Sequence, residues 1–183
     1  MIRSITAFVP IIFLPCCFCY GQGQNKDTII KHTRELFQKI NNDPTLKKLE
    51  LDNEDFMPDE QSDGGVSLTG YYKKDTIYKL SVWIGVSYCV RQYDYYLKNG
   101  KPFFIYETEK DFPGKKDGTL DYSKLNLAFE GRYYLNNGKV MDLKIKGKKR
   151  MDENPTTASI MGLAADAKSY AKLMSAHINK LDK

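Results

Sequence analysis

The chain has 183 residues, of which 28% are charged and 42% hydrophobic, and its formal net charge at pH 7 is +5. These proportions are ordinary for a globular protein with one hydrophobic core, and they exclude a largely disordered chain. The excess of positive charge is modest, and its distribution along the chain is more informative than its size.

The first predicted element is a secretion signal at residues 1–21. Arg3 gives it a short positive start, and residues 7–18 are almost wholly apolar. That run is too short to cross a bilayer as a helix of roughly 20 residues. Small residues precede a cleavage site after Gly21, so we expect a single mature domain at 22–183 that is secreted, periplasmic or held in the cell envelope.

Cysteine usage leaves one alternative open for this segment. One of the signal-region cysteines could instead become a lipidated N-terminus that tethers the protein to a membrane; these are Cys16, Cys17 and Cys19. Cys89 lies alone in the mature chain, which rules out an intramolecular disulfide there. It falls in a strand-like run, and we interpret it as a small buried hydrophobe because only Arg91 supplies local positive charge.

A helix is predicted from Asp27, as its cap, to about Asn42, with Asp43-Pro44 ending it. An acidic stretch without basic residues follows at 50–63 and is predicted to be an irregular connection. Its counterpart is the basic stretch at 144–150, which contains no acidic residue. Both stretches are interpreted as solvated loop ends, with the steering of a charged partner as the alternative.

Strands are predicted from Val66 onward, where β-branched and aromatic residues become frequent. The six predicted strands are residues 66–73, 76–84, 88–98, 101–109, 123–135 and 139–147. A polar, glycine-rich loop separates the fourth strand from the fifth.

Two nearly identical heptapeptides, YYLKNGK at Tyr95–Lys101 and YYLNNGK at Tyr133–Lys139, predict tight hairpins. Asn-Gly is the strongest short signal for a two-residue turn, because both residues tolerate the positive φ of type I′. A weaker third copy begins at Tyr71-Tyr72. The unequal spacing of the copies argues against a regular repeat protein.

Counting back from the Asn99-Gly100 turn assigns side chains to the two faces of the sheet, because they alternate along a strand. One face is predicted to be apolar and comprises Tyr93, Tyr95, Leu97, Phe104 and Tyr106. The opposite face is predicted to be mixed and comprises Asp94, Tyr96, Lys98, Lys101, Phe103 and Ile105. In the later hairpin the same counting places Tyr134 with Met141, Leu143 and Ile145.

The last predicted element is a long amphipathic helix that opens at Asn154-Pro155. Its apolar residues recur at helical spacing over roughly six turns; they are Ile160, Leu163, Ala164, Ala167, Ala171, Met174, Ile178 and Leu181. The sequence therefore predicts an α+β fold: an antiparallel sheet of about six strands, an N-terminal helix, and a C-terminal helix packed on one sheet face.

The paired Tyr-Tyr-x-x-Asn-Gly-Lys hairpins, flanked by helices and preceded by GGVSLTGYY at Gly64–Tyr72, resemble uncharacterised secreted envelope proteins of Bacteroidota-type bacteria. The resemblance covers roughly residues 64–145. It implies an extracytoplasmic or cell-envelope setting and brings no activity and no site residues.

No constellation of residues predicts catalysis, a metal or a cofactor. His32 and His177 are isolated in predicted helices, and the acidic stretch lacks the order of a calcium-binding loop. Glu107 and Glu109 share a strand face about 7 Å apart, a separation that suits a glycosidase pair but is more typical of solvated acids at a strand end.

Thirteen tyrosines are typical of cross-strand aromatic pairs that stabilise a half-exposed sheet. The alternative is a binding surface, since tyrosine offers large contact area and a hydroxyl for little entropy. The residues predicted to contact a partner are Tyr96, Phe103, Tyr134, Lys98 and Lys101. The leading hypothesis is a non-enzymatic binding or inhibitory module for an envelope protein or a glycan. The alternatives are a structural or accessory envelope protein, and a hydrolase whose carboxylates converge only in the fold. The export signal argues against a nucleic-acid partner.

Overall fold

The computed structural model describes residues 21–59, 62–151 and 154–181, so residues 1–20 of the predicted signal, with its three cysteines, lie outside the described residues. The fold is α+β, as predicted. One antiparallel sheet of seven strands follows chain order from β1 to β7, and each strand pairs with the next. Within the described residues, no helix is both long and apolar enough to cross a membrane.

The helices are α1 (Gly21–Asn41), α2 (Asn53–Phe56) and α3 (Thr157–Leu181). The strands are β1 (Lys47–Leu51), β2 (Val66–Lys73), β3 (Thr76–Val86), β4 (Cys89–Lys98), β5 (Lys101–Asp111), β6 (Asn126–Asn136) and β7 (Lys139–Gly147).

The acidic stretch is more ordered than predicted, since it contains the end of β1 and all of α2. The Asp52 side chain caps α2 by accepting hydrogen bonds from the backbone N–H groups of Glu54 (3.0 Å) and Asp55 (3.2 Å). Phe56 at the end of this short helix is buried in the core. The prediction of an irregular connection was therefore wrong for residues 50–56. They form the end of the five-residue edge strand β1 and the capped turn of α2.

The predicted helix starts also needed correction. The first helix begins at Gly21, so Asp27 lies inside α1 and is not its cap. The last helix begins at Thr157, and Thr156 and Ser159 exchange hydrogen bonds in a cap at its start.

Four hairpins have two-residue turns. Those at 74–75, 99–100 and 137–138 lie at one end of the sheet, and each carries a β-bulge in its returning strand; the fourth, at 87–88, lies at the other end and has no bulge. Asn99-Gly100 and Asn137-Gly138 have the positive φ angles that type I′ turns require, and Lys74 has φ 52° in the first hairpin. The strand register then shifts by one residue just after the turn. The extra residues are Tyr78, Phe103 and Met141.

These bulges reverse part of the predicted face assignment. Tyr96 pairs with Phe104, not Phe103, and Tyr95 pairs with Ile105. Likewise Tyr134 pairs with Asp142. A bulge moves every later side chain to the other face, because side chains alternate with a period of two.

Helices pack on both faces of the sheet. The core under α3 is the larger one, and α1 forms a smaller cluster on the opposite face. The α3 face carries the main core, which includes Leu68, Leu80, Tyr95, Ile105 and Tyr133 beneath Ile160, Ala167 and Met174. On the opposite face α1 crosses the sheet near the hairpin turns and forms a second cluster; it comprises Ile30, Phe37, Ile40, Tyr96, Phe103, Phe104, Tyr106, Tyr134 and Met141.

Candidate binding surface

Helix α1 covers only part of the sheet face on which it packs. We call the uncovered part of that face the open face. Strand register places its side chains in two rows that cross the strands. The row nearer α1 contains Thr69, Ser81, Asp94, Tyr106, Arg132 and Lys144. The row farther from α1 contains Ser67, Trp83, Gln92, Thr108, Glu130 and Lys146. Hydroxyl, amide and charged groups therefore alternate with two large aromatic rings.

The contact residues predicted from the sequence do not lie together on this surface. Tyr96 and Tyr134 are only 1% and 2% exposed because α1 covers them, so neither can meet a partner in this structure. Phe103 is half-buried beside them. Lys98 and Lys101 are exposed, as expected for residues flanking a turn, and they pair with each other across it.

An aromatic cavity lies at the end of the open face that is remote from the three bulged hairpins, beside the turn at 87–88. Trp83 projects from β3 and is 37% exposed, and Phe112 and Tyr122 form an aromatic pair with ring centroids 5.0 Å apart. All three rings line a cavity of about 380 Å³, together with the backbone of Gly64 and Gly85. A Cβ atom at Gly85 would lie 2.6 Å from the Trp83 ring, so the glycine lets the indole lie close to the sheet.

A hydrogen-bonded group of polar side chains lies next to Trp83. The Asp94 carboxylate accepts from the Ser81 hydroxyl (2.7 Å) and from the Gln92 amide (3.1 Å), and it forms an ion pair with Lys79 (2.9 Å). Burial alone would lower the pKa of Lys79, but the Asp94 carboxylate and the Tyr96 hydroxyl together outweigh it and the pKa is raised. Lys79 therefore stays charged, and the network fixes the orientation of Ser81 and Gln92 before any ligand binds.

A second cavity, of about 310 Å³, lies where α1 meets the open face. Its floor is aromatic, formed by Phe37, Phe104 and Tyr134, and two arginines line it, Arg34 from α1 and Arg132 from β6. Arg132 lies over the Tyr106 ring (5.7 Å to the centroid) and forms an ion pair with Glu130 (2.7 Å). This cavity combines apolar surface with positive charge.

Glu107 and Glu109 are not the solvated pair that their positions suggested. They lie on the α3 face and are only 2% and 1% exposed. Lys149 reaches Glu107 Oε1 at 2.5 Å, so part of the basic stretch at 144–150 is buried instead of forming a solvated loop end. Glu109 accepts from Arg91 Nε (2.9 Å) and from the backbone N–H of Arg150 (2.7 Å). Buried and paired in this way, neither acid is placed to act on a substrate.

Tyr133 completes this buried network, and the absence of a side chain at Gly131 makes room for it. Its hydroxyl donates to Glu107 Oε2 at 2.5 Å, and its ring passes over Gly131, where a Cβ atom would lie 2.2 Å from the hydroxyl oxygen. Burial, followed by the negative charge of Glu107, raises the pKa of Tyr133. The phenol therefore remains protonated and serves as a donor to the carboxylate.

Cys89, Glu109 and Asp111 form a group of possible metal ligands within the described residues, with ligand atoms all within 4.8 Å of one another. Both oxygens of Glu109 already accept hydrogen bonds from Arg91 and Arg150. Burial, reinforced by the charge of Glu109, raises the pKa of the Cys89 thiol to about 11. The protonated thiol and the occupied carboxylate fit a buried structural cluster better than a metal site.

Cys89 is expected to be inert in the folded protein. The residue is fully buried and the raised pKa keeps it a thiol at pH 8, whereas alkylation requires the thiolate. Iodoacetamide should therefore leave Cys89 unmodified under native conditions and modify it after unfolding in guanidinium, as measured by mass spectrometry of the peptide that contains it. Equal labelling rates in the two states would contradict the buried, protonated thiol.

Comparison of the chain with protein-family models, with curated proteins and with solved structures finds no match. Functional inference therefore depends on the geometry and chemistry of the open face.

Proposed function

We propose that the protein is an extracytoplasmic, non-enzymatic binding module that holds a glycan on its open face. The observation that carries the proposal is the exposed Trp83 ring beside an oriented row of hydroxyl and amide groups. Sugars present apolar C–H faces to aromatic rings and hydroxyls to hydrogen-bonding side chains, and this surface offers both. The predicted export signal is consistent with a ligand outside the cytoplasm.

The type of surface favours a glycan over an extended peptide. A peptide that extends a sheet gains most of its affinity from backbone hydrogen bonds, which are offered at an edge strand. On the face of a sheet the backbone groups are already paired between strands, so only side chains are available to a ligand. A ligand with many hydroxyl groups of its own is better matched to Ser81, Gln92 and Trp83.

The sequence contains a single tryptophan, so the fluorescence of Trp83 reports on the proposed site directly. We expect at least one of a panel of neutral and acidic oligosaccharides to change this fluorescence in a saturable way. Trp83→Ala should weaken binding, measured by calorimetry, about tenfold or more, because a central aromatic anchor contributes roughly 1.4 kcal/mol or more.

Leu181→Ala is the matched control, since Leu181 is a large apolar residue that is 64% exposed on α3. It should leave binding unchanged. A panel in which no oligosaccharide affects Trp83, or in which the two variants bind alike, would contradict the proposal.

A second candidate function, association with an envelope protein, is favoured by one observation. Strand β7 is an edge strand of nine residues, and its Leu143 is 38% exposed. Such an edge offers unpaired backbone groups to a strand of another protein. Affinity capture from envelope extracts, repeated with a proline in place of Ile145, tests it: a partner lost with the proline would support edge pairing, and unchanged capture would contradict it.

A further inference from the structure

Charge is unevenly distributed across the strands of the open face. Its β2–β4 part carries hydroxyls, an amide and the buried Lys79–Asp94 pair, whose charges compensate each other. Its β6–β7 part carries three cations, Arg132, Lys144 and Lys146. Arg34 of α1 lines the same cavity as Arg132 and adds a fourth.

These cations are poorly compensated within the protein. Glu130 is the acid on this part of the face, and it pairs with Arg132 at 2.7 Å. Asp142, which lies nearer α1, is engaged by Lys26 at 2.8 Å. Among residues 21–59, 62–151 and 154–181, no ion pair is formed by Arg34, Lys144 or Lys146.

The register places two of these cations opposite each other, which does not stabilise the folded chain, while Lys146 lies opposite the acid Glu130. Lys144 lies directly opposite Arg132 on the neighbouring strand, and like charges in opposed positions repel. An opposed pair of cations gains favourable energy when an anion binds between or beside them.

We infer that the ligand of the open face is an acidic polysaccharide, one whose sugars bear carboxylates. The inference rests on the proposed function and extends it. A neutral or weakly polar part of the polysaccharide lies over Trp83 and Gln92. A carboxylate of another of its sugars reaches the cavity that Arg34 and Arg132 line. Arginine suits that role because its planar group binds a carboxylate through two hydrogen bonds.

Distances across the sheet are compatible with one oligosaccharide. Trp83 is on β3 and Arg132 is on β6, three strand spacings away (roughly 14 Å) and in the next row along the strands (roughly 7 Å), so roughly 16 Å separates the aromatic and cationic parts of the face. An oligosaccharide of a few residues covers this span, whereas a single sugar does not. The proposal therefore requires both parts of the surface to contribute to the affinity of one ligand.

The test compares an oligogalacturonate with the same oligomer after methyl esterification, which removes its charge and retains its sugar backbone. Binding is measured by Trp83 fluorescence and calorimetry. The acid form is expected to bind about tenfold or more tightly than the ester, and to weaken as salt is added. The double variant R132Q/K144Q should bring the affinity for the acid form down towards that for the ester.

Lys168→Gln with Lys172→Gln is the matched control, because it removes the same charge from exposed positions on α3, at the opposite face. This variant should retain the affinity for the acid form. Equal loss in both double variants would mean unspecific attraction to net charge and would overturn the inference.

Two further outcomes separate this inference from the proposed function. Equal binding of acid and ester, with a change in Trp83 fluorescence, would overturn the inference and leave a neutral glycan as the ligand. Failure of both forms to bind would also overturn it, and the proposed function would then depend on the wider oligosaccharide panel.

Discussion

Replacing Lys149 with methionine is expected to lower the free energy of unfolding by about 3–5 kcal/mol at neutral pH. The substitution leaves the Glu107 carboxylate, which is 2% exposed, without the ammonium group that lies 2.5 Å from its Oε1. Methionine keeps a long apolar stem at this position, so lost packing contributes little to the change. Urea denaturation followed by circular dichroism measures the difference from the shift in midpoint.

The adjacent Lys148 provides the control, because it is exposed and of the same residue type. Lys148→Met should change stability by no more than about 0.5 kcal/mol. Adding Glu107→Gln to Lys149→Met removes the unpaired charge and should recover part of the loss. Equal effects of the two lysine substitutions would contradict a buried ion pair.

Substituting alanine for Gly70 is expected to destabilise the fold by about 1–3 kcal/mol. This steric cost exceeds the stabilisation that alanine would otherwise bring, because alanine loses less conformational entropy on folding than glycine. The new Cβ atom would lie 2.6 Å from Met174 Cγ and 2.8 Å from its sulfur. Met174 is fully buried and belongs to the α3 stripe that covers the sheet. A Cβ atom at Gly70 therefore requires the buried Met174 side chain to move, and thermal or urea denaturation measures the cost of that shift.

Met174→Ala alone should cost about 2–5 kcal/mol, because it leaves a cavity in the core. In the double variant the methyl group introduced by G70A enters that cavity, so the combined loss should fall short of the sum by about 0.5–3 kcal/mol. Gly162→Ala serves as the control, since a Cβ atom there meets nothing within 4 Å and alanine favours a helix. It should stabilise the protein slightly, and strictly additive effects of G70A and M174A would argue against the close packing.

The sequence was informative about the sheet because its turns have distinctive chemistry. Asn99-Gly100 and Asn137-Gly138 were predicted as two-residue turns, and the pairing of Lys98 with Lys101 and of Asn136 with Lys139 confirms them. The long apolar stripe of α3 predicted its burial on one face in the same way. Local turn geometry and helical periodicity are both encoded within a few residues.

The bulges could not be predicted, because one extra residue in a strand leaves no sign in the composition. Phe103 and Met141 look like ordinary strand residues, yet each shifts the register by one. As a result Phe104 was assigned to the wrong face. Tyr95 and Tyr96 are neighbours in one strand, so their side chains point to opposite faces of the sheet. Each tyrosine is therefore buried in a different core.

The candidate surface was only partly accessible to sequence reasoning. The hairpin sequences predict an aromatic sheet face, but α1 covers its tyrosines, Tyr96 and Tyr134. Trp83 was overlooked, although Ser81 and Trp83 alternate with Val82 and Ile84 in a way that indicates one wetter face. The meeting of Phe112 and Tyr122 with Trp83, and of Lys149 with Glu107, depends on the folded chain and has no local signature.

The meander places its connections at two unlike ends. One end has the three bulged two-residue turns, whose geometry tolerates little change. At the other end, residues 62–65, the two-residue turn at 87–88 and the longer segment at 112–125 each contribute to the wall of the cavity around Trp83. A change of loop length at 112–125 would thus reshape this cavity, while the rigid end preserves the alignment of the strands.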